Sequence, residues 1–119
     1  MKKIETPLDG AFIIEPQVFG DVRGWFYESY SKQKMHDIGM DVEFVQDNRS
    51  FSAQQGTLRG LHCQTSPMAQ TKLLTCLRGR IMDVAVDIRR GSPTYMQWTA
   101  VELSGENKKM FFIDRKSVV

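Results

Sequence analysis

The sequence predicts an all-β protein, a sandwich or barrel of short strands carrying one short helix. Three observations support this. Residues 81–88 alternate with a period of two: Met82, Val84, Val86 and Ile88 fall on one face, Asp83, Ala85 and Asp87 on the other. That is strand periodicity. Aromatic and β-branched residues recur in short runs between the breakers Gly56, Gly79 and Gly105, the composition of strands joined by turns. Only one stretch has helical caps, and nothing reads as alternating strand–helix–strand units, so a sandwich or barrel is the natural architecture.

The elements follow in order. Strands are expected at residues 10–14, where Phe12, Ile13 and Ile14 follow a glycine, and at 24–29, rich in aromatics. A short helix is expected at residues 31–38, with Ser31 as N-cap and Gly39 just past its end. Further strands are expected at 44–46, 57–62, 71–77, 81–88, 98–103 and 109–113. The run 81–88 ends in Arg89-Arg90-Gly91-Ser92-Pro93-Thr94, strong turn chemistry. Gly60 lies inside 57–62, and a glycine within a strand marks a bulge or kink. An irregularity is therefore expected there. It is also needed, because an odd offset puts Arg59 and His62 on opposite faces of a regular strand.

The 119 residues, 41% hydrophobic and 25% charged, suit one globular domain over 1–119. There is no internal repeat, low-complexity segment or linker. The formal net charge is +2, and the basic doublets Lys2-Lys3, Arg89-Arg90 and Lys108-Lys109 are separated by acids. This is not the clustered basic patch of a nucleic-acid binder. No run reaches the ~18 apolar residues of a membrane span. The N-terminus has charge without an apolar core, so no signal peptide is expected. Cys63 and Cys76 make no disulfide framework and are expected as reduced thiols in the cytoplasm.

His62 is the first candidate for chemistry. Its unperturbed pKa of ~6.5 suits proton transfer near neutrality, although a lone histidine is as readily a satisfied structural residue. Its neighbours argue for chemistry. Lys72 interrupts the apolar run Thr71-Lys72-Leu73-Leu74, Arg59 precedes the histidine, and Asp83 or Asp87 has the charge to orient an imidazole. A second constellation is Asp21-Val22-Arg23-Gly24-Trp25-Phe26-Tyr27-Glu28. Arginine with aromatics suits a phosphate-bearing heterocycle: a fork for the phosphate and a ring for stacking. A plain aromatic hairpin would look the same. Gln46-Asp47-Asn48-Arg49-Ser50 is polar and loop-like.

Other chemistries find no support. Two histidines without close spacing do not make a metal set, so no metal is expected. There is no Walker motif, G-x-G-x-x-G, G-x-S-x-G or C-x-x-C.

Taken together, these residues resemble the dTDP-4-dehydrorhamnose 3,5-epimerase family. The likeness runs through Asp21-x-Arg23-Gly24-x-Phe26-x-Glu28-x-Tyr30, Gln46-Asp47-Asn48-x-Ser50, and Gly56-Thr57-Leu58-Arg59-Gly60-Leu61-His62-x-Gln64. It continues through Gln70-x-Lys72-Leu73, Asp83-Val84-Ala85-Val86-Asp87-Ile88-Arg89, Gly91-Ser92-Pro93-Thr94 and Leu103-Ser104-x-Glu106-Asn107. The resemblance implies a cupin-like jelly roll and a homodimer. It also implies a reaction without metal or redox cofactor, inversion of C3 and C5 beside the C4 ketone of dTDP-4-dehydro-6-deoxy-glucose. His62 matches the catalytic base and Lys72 the cation near the ketone. Arg59 matches a position near the phosphates. Arg23, Phe26 and Glu28 match a nucleotide-binding segment contributed across the dimer interface, and Gln46 and Asn48 match further substrate contacts. Asp83 joins His62 and Lys72 as a catalytic candidate from the strand-face argument.

Two departures stand out. Cys63 replaces the family's usual aromatic. After Phe112-Ile113 the family continues Pro-Gly-Phe-Ala-His, whereas this chain reads Asp114-Arg115-Lys116-Ser117-Val118-Val119. The family's catalytic tyrosine and the aspartate behind its histidine are expected beyond that point. A jelly roll incomplete at its C-terminal strands is therefore expected, with open edges that favour a homodimer, including by strand exchange. Two functions follow as expectations: an epimerase of this family, or a non-catalytic nucleotide-sugar-binding remnant of it.

Overall fold

The structure, a computed structural model, describes residues 1–115. The last four residues of the expected departure at 114–119 lie outside the described residues. Eight strands and one helix are present among those described: β1 (Lys2–Glu5), β2 (Ala11–Glu15), β3 (Val18–Asp21), β4 (Gly24–Tyr27), α1 (Lys32–Asp37), β5 (Lys72–Thr75), β6 (Arg80–Val86), β7 (Trp98–Ser104) and β8 (Met110–Ile113). They form a four-stranded antiparallel sheet of order β1-β2-β8-β5, a β6–β7 pair and a β3–β4 ribbon.

β8 lies between β2 and β5, and all four of its residues are buried. Alternation along a strand sends neighbouring side chains to opposite faces, and here each face meets its own apolar cluster. Phe111 and Ile113 join Leu8, Ala11, Cys76, Ala85, Val101 and Leu103, filling the space between the large sheet and the β6–β7 pair. Met110 and Phe112 join Phe12, Ile14, Met35 and Met40 on the opposite face. The register stacks Phe12 on Phe112, ring centres 4.6 Å apart. Such an aromatic pair contributes about 0.5–1.5 kcal/mol beyond its burial.

The helix forms where its caps predict. Ser31 Oγ accepts a hydrogen bond from the Lys34 N–H at 3.3 Å, and Gly39 sits at φ +97. The Gly39 N–H donates to His36 O and the Met40 N–H to Met35 O, each at 2.9 Å. This left-handed C-terminal cap satisfies carbonyls the helix leaves open. It also turns Met40 back beside Met35 in the outer cluster.

Several expectations need correction. Residues 44–46 and 57–62 form no strand. Their backbone has no neighbouring strand to complete a ladder among the described residues, and Val45, Leu58 and Leu61 are exposed. β1 and β3 were not expected. β1 is short and carries three charges in Lys2-Lys3-Ile4-Glu5, while β3 contains Gly20, so neither has the composition of a strand. The faces of 81–88 are reversed. Ala85 and Asp87 are fully buried, whereas Met82 is 63% exposed and Ile88 43%. Small Ala85 lets the two layers approach, and Asp87 is buried because its charge is fully compensated. Gly60 is irregular as expected, at φ +99, and a Cβ there would come within 2.9 Å of His62 Nδ1.

Candidate functional site

Strand register brings two of the expected catalytic residues to one interior. Lys72 pairs with Ile113, which pairs with Ala11. All three therefore share the face that carries the inner cluster. Asp83 pairs with Val101 and shares its face with Ala85, so it enters the same inter-layer space from the opposite side. Both side chains are only partly accessible. Burial raises the Asp83 pKa from its ordinary value, and the positive charge of Lys72 partly offsets this. An ammonium thus stands in a largely apolar interior, accompanied by a carboxylate that is costly to ionise there.

His62 lies in the long segment 40–71, which has no regular structure, and it is exposed. Among the described residues no hydrogen bond or ion pair joins it to Lys72, Asp83 or Asp87. Arg59, from the same segment, folds back upon it. Its Nη2 donates to Phe51 O at 3.2 Å and to Ser52 Oγ at 3.3 Å. Gln46 Nε2 donates to Asn48 Oδ1 at 2.9 Å, so those two amides are aligned with each other.

The Arg23 turn is organised locally. The Arg23 N–H donates to Asp21 Oδ1 at 2.8 Å, and its Nη2 reaches Asp21 Oδ2 at 2.6 Å. These bonds to Arg23 hold the Asp21 carboxyl below its ordinary pKa. They fix the guanidinium while leaving it in solvent, where it can still meet an anion. Phe19, Asp21, Arg23, Trp25 and Phe26 line an open depression of about 380 Å³. Phe26 is 70% exposed, an apolar ring offered to solvent. Glu28 pairs with Lys34 of α1 at 2.9 Å. Another depression, of about 370 Å³, lies among Lys3, Glu5, Phe12, Asp41 and Phe112 and touches none of the expected site residues.

The structure therefore gathers the expected residues into groups without direct bonds between them: Lys72 with Asp83, Arg59 with Ser52, Gln46 with Asn48, and the Arg23–Phe26 ribbon. Asp87 does not orient an imidazole. Its carboxylate accepts from Arg89 N and Nε, both at 2.9 Å, and from Ser92 Oγ at 2.6 Å and Thr94 Oγ1 at 2.5 Å. Arg89 in turn donates to Asp9 O at 3.1 Å, tying the β6–β7 loop to the large sheet. Sequence reasoning marked residues 89–94 as a turn and missed this knot. The signal was present: Asp, Arg, Ser and Thr at short offsets can satisfy one another locally. Ser52, the partner of Arg59, had no signal of its own.

Comparison with known proteins agrees with the resemblance. Residues 5–118 match the family model described as dTDP-4-dehydrorhamnose 3,5-epimerase. The dTDP-4-dehydrorhamnose 3,5-epimerase of Shigella flexneri is 50% identical over 114 residues, covering 95% of this chain and 62% of that protein. The Bacillus anthracis dTDP-4-dehydrorhamnose 3,5-epimerase, crystallised with TDP and PPi bound, superposes with a TM-score of 0.94 at 46% identity, over 98% of this chain and 67% of that one. A dTDP-6-deoxy-D-glucose-3,5-epimerase from Legionella pneumophila, in complex with dTDP-4-keto-L-rhamnose, gives a TM-score of 0.91 at 50% identity, over 98% of this chain and 62% of that one. The fold is thus the cupin-like jelly roll of those proteins. The chain spans about three fifths of the length of the curated relatives it matches.

Proposed function

The chain belongs to the dTDP-4-dehydrorhamnose 3,5-epimerase family, and from that premise we propose that it binds a dTDP-4-dehydro-6-deoxyhexose and moves protons at the carbons beside the ketone. A C–H next to a carbonyl is a weak acid. Its removal needs a base near neutrality and a charge to hold the enolate oxygen. His62 is the proposed base, Lys72 the cation for the enolate, and Asp83 the carboxylate that accompanies the Lys72 ammonium. Arg23 and Arg59 take the pyrophosphate, Phe26 stacks on the nucleobase, and Glu28, Gln46 and Asn48 contact the rest of the nucleotide sugar. The chain acts in the cytoplasm as a homodimer, including by strand exchange.

The observation that carries this reading is Lys72 facing Asp83 across the inner cluster. A cation kept inside a jelly roll contributes little to packing and is well placed to stabilise negative charge developing on a bound ketone. His62 is exposed and has no hydrogen bond or ion pair among the described residues, which favours a second reading, a nucleotide-sugar binder without turnover. Proton traffic separates the two. The chain is incubated with dTDP-4-dehydro-6-deoxy-glucose in heavy water, and deuterium at C3 and C5 is measured by mass spectrometry together with inversion. The epimerase reading expects deuterium at one or both carbons, abolished in His62→Ala. Binding of the nucleotide sugar with no deuterium uptake would establish the binder instead.

A further inference from the structure

The ribbon carrying Arg23 and Phe26 belongs to neither the large sheet nor the β6–β7 pair. Something else must hold it at a fixed angle if its side chains are to meet a ligand. Alternation places Trp25 and Tyr27 on one ribbon face and Phe26 on the other. Tyr27 packs against the outer cluster. Trp25 stands 5.4 Å from Tyr27 between ring centres and is 61% exposed. It receives an ammonium: Lys108 Nζ lies 4.3 Å from the Trp25 ring centre.

Lys108 is itself held in place. It sits at φ +55, in the left-handed region. Its Nζ donates to Gly105 O at 3.0 Å and Glu106 O at 3.1 Å, and its N–H donates to Ser104 O at 3.0 Å. The β7–β8 turn therefore aims the ammonium, and the turn is continuous with the central strand β8. A side chain that caps its own turn and covers a distant indole joins two parts of the fold that share no ladder.

We propose that Lys108 is a positioning residue for the ribbon. Through its cation–π contact with Trp25 it holds the face bearing Phe26, and the adjoining Arg23 turn, in the orientation that receives the nucleotide. The inference rests on the ligand role proposed above for Arg23 and Phe26. It needs no contact between Lys108 and the ligand.

The test compares Lys108→Met, Lys108→Arg and Trp25→Leu with the unchanged chain. Hydrogen exchange reads the ribbon amides of residues 18–27, and calorimetry reads dTDP affinity. Loss of an exposed cation–π contact is expected to speed ribbon exchange and weaken dTDP binding about two- to fivefold. Lys108→Met and Trp25→Leu should do so alike, Lys108→Arg should restore both, and β8 exchange and Tm should hold. Trp25→Leu leaves the β7–β8 turn intact, so its effect separates the clamp from a loosened turn. Unchanged ribbon exchange in both Lys108→Met and Trp25→Leu, or faster exchange spread equally to β8, would overturn the proposal. Failure of the unchanged chain to bind dTDP would instead count against the proposed function, with exchange in the ribbon still deciding the clamp.

Discussion

Asp87 shows how a single carboxylate can organise a whole turn around itself. It is fully buried, and hydrogen bonds from Arg89 first, then from Ser92 and Thr94, hold its pKa far below the carboxylate range against the opposing effect of burial. A depressed carboxylate contributes stability that is complete above its unfolded pKa of ~3.9 and is lost as pH falls toward its folded value. Acid unfolding followed by circular dichroism should therefore steepen below about pH 4, and Asp87→Asn should lower Tm at neutral pH while flattening that dependence. An equally steep acid limb in the variant would remove Asp87 as its cause. Residue types at the site were largely legible in the sequence: a lysine inside an apolar run and an arginine beside aromatics are conspicuous. Their partners were not. Asp83 and Asp87 look equivalent in the alternating run, and only packing shows that one faces Lys72 while the other is sealed by Arg89.

The central strand explains which elements could be read and which could not. β8 is Met-Phe-Phe-Ile, apolar at every position because both faces are covered, and such a run is recognisable in sequence. The helix was legible because its caps are local chemistry. Residues 57–62 were misread because β propensity describes fitness for a pleated surface, and no paired neighbour supplies one. β3 was missed because its Gly20 lies opposite Trp25, a pairing that only the hairpin reveals. Phe111, with no exposed surface, reaches the inner cluster from the centre of the sheet. Phe111→Ala should cost about 3–5 kcal/mol in denaturant unfolding. A loss under 1 kcal/mol would mean that the two layers close over the gap.

At the scale of the whole molecule, the reversed faces of β6 have a consequence for assembly. Met82 and Trp98 stand exposed on the outer side of the β6–β7 pair, and Phe19, Trp25 and Phe26 stand exposed on the ribbon. Apolar surface of this kind, beside strand edges that no described residue pairs, favours association. Sedimentation velocity across a concentration series should show a dimer that weakens in Met82→Lys; a monomer at every concentration would contradict the proposed homodimer. The sheet order also imposes a sequence of events in time. β2 takes its inner neighbour from residues 110–113, near the other end of the described chain. At about 5–20 residues per second of synthesis, the first hairpin waits on the order of 5–20 s for that neighbour. Through that interval the inner edge of β2 stays without its ladder partner, open to solvent and to a wrong strand. The final apolar tetrapeptide of the sheet is thus also its clock: nothing on either side of β8 can close until Phe111 has been made.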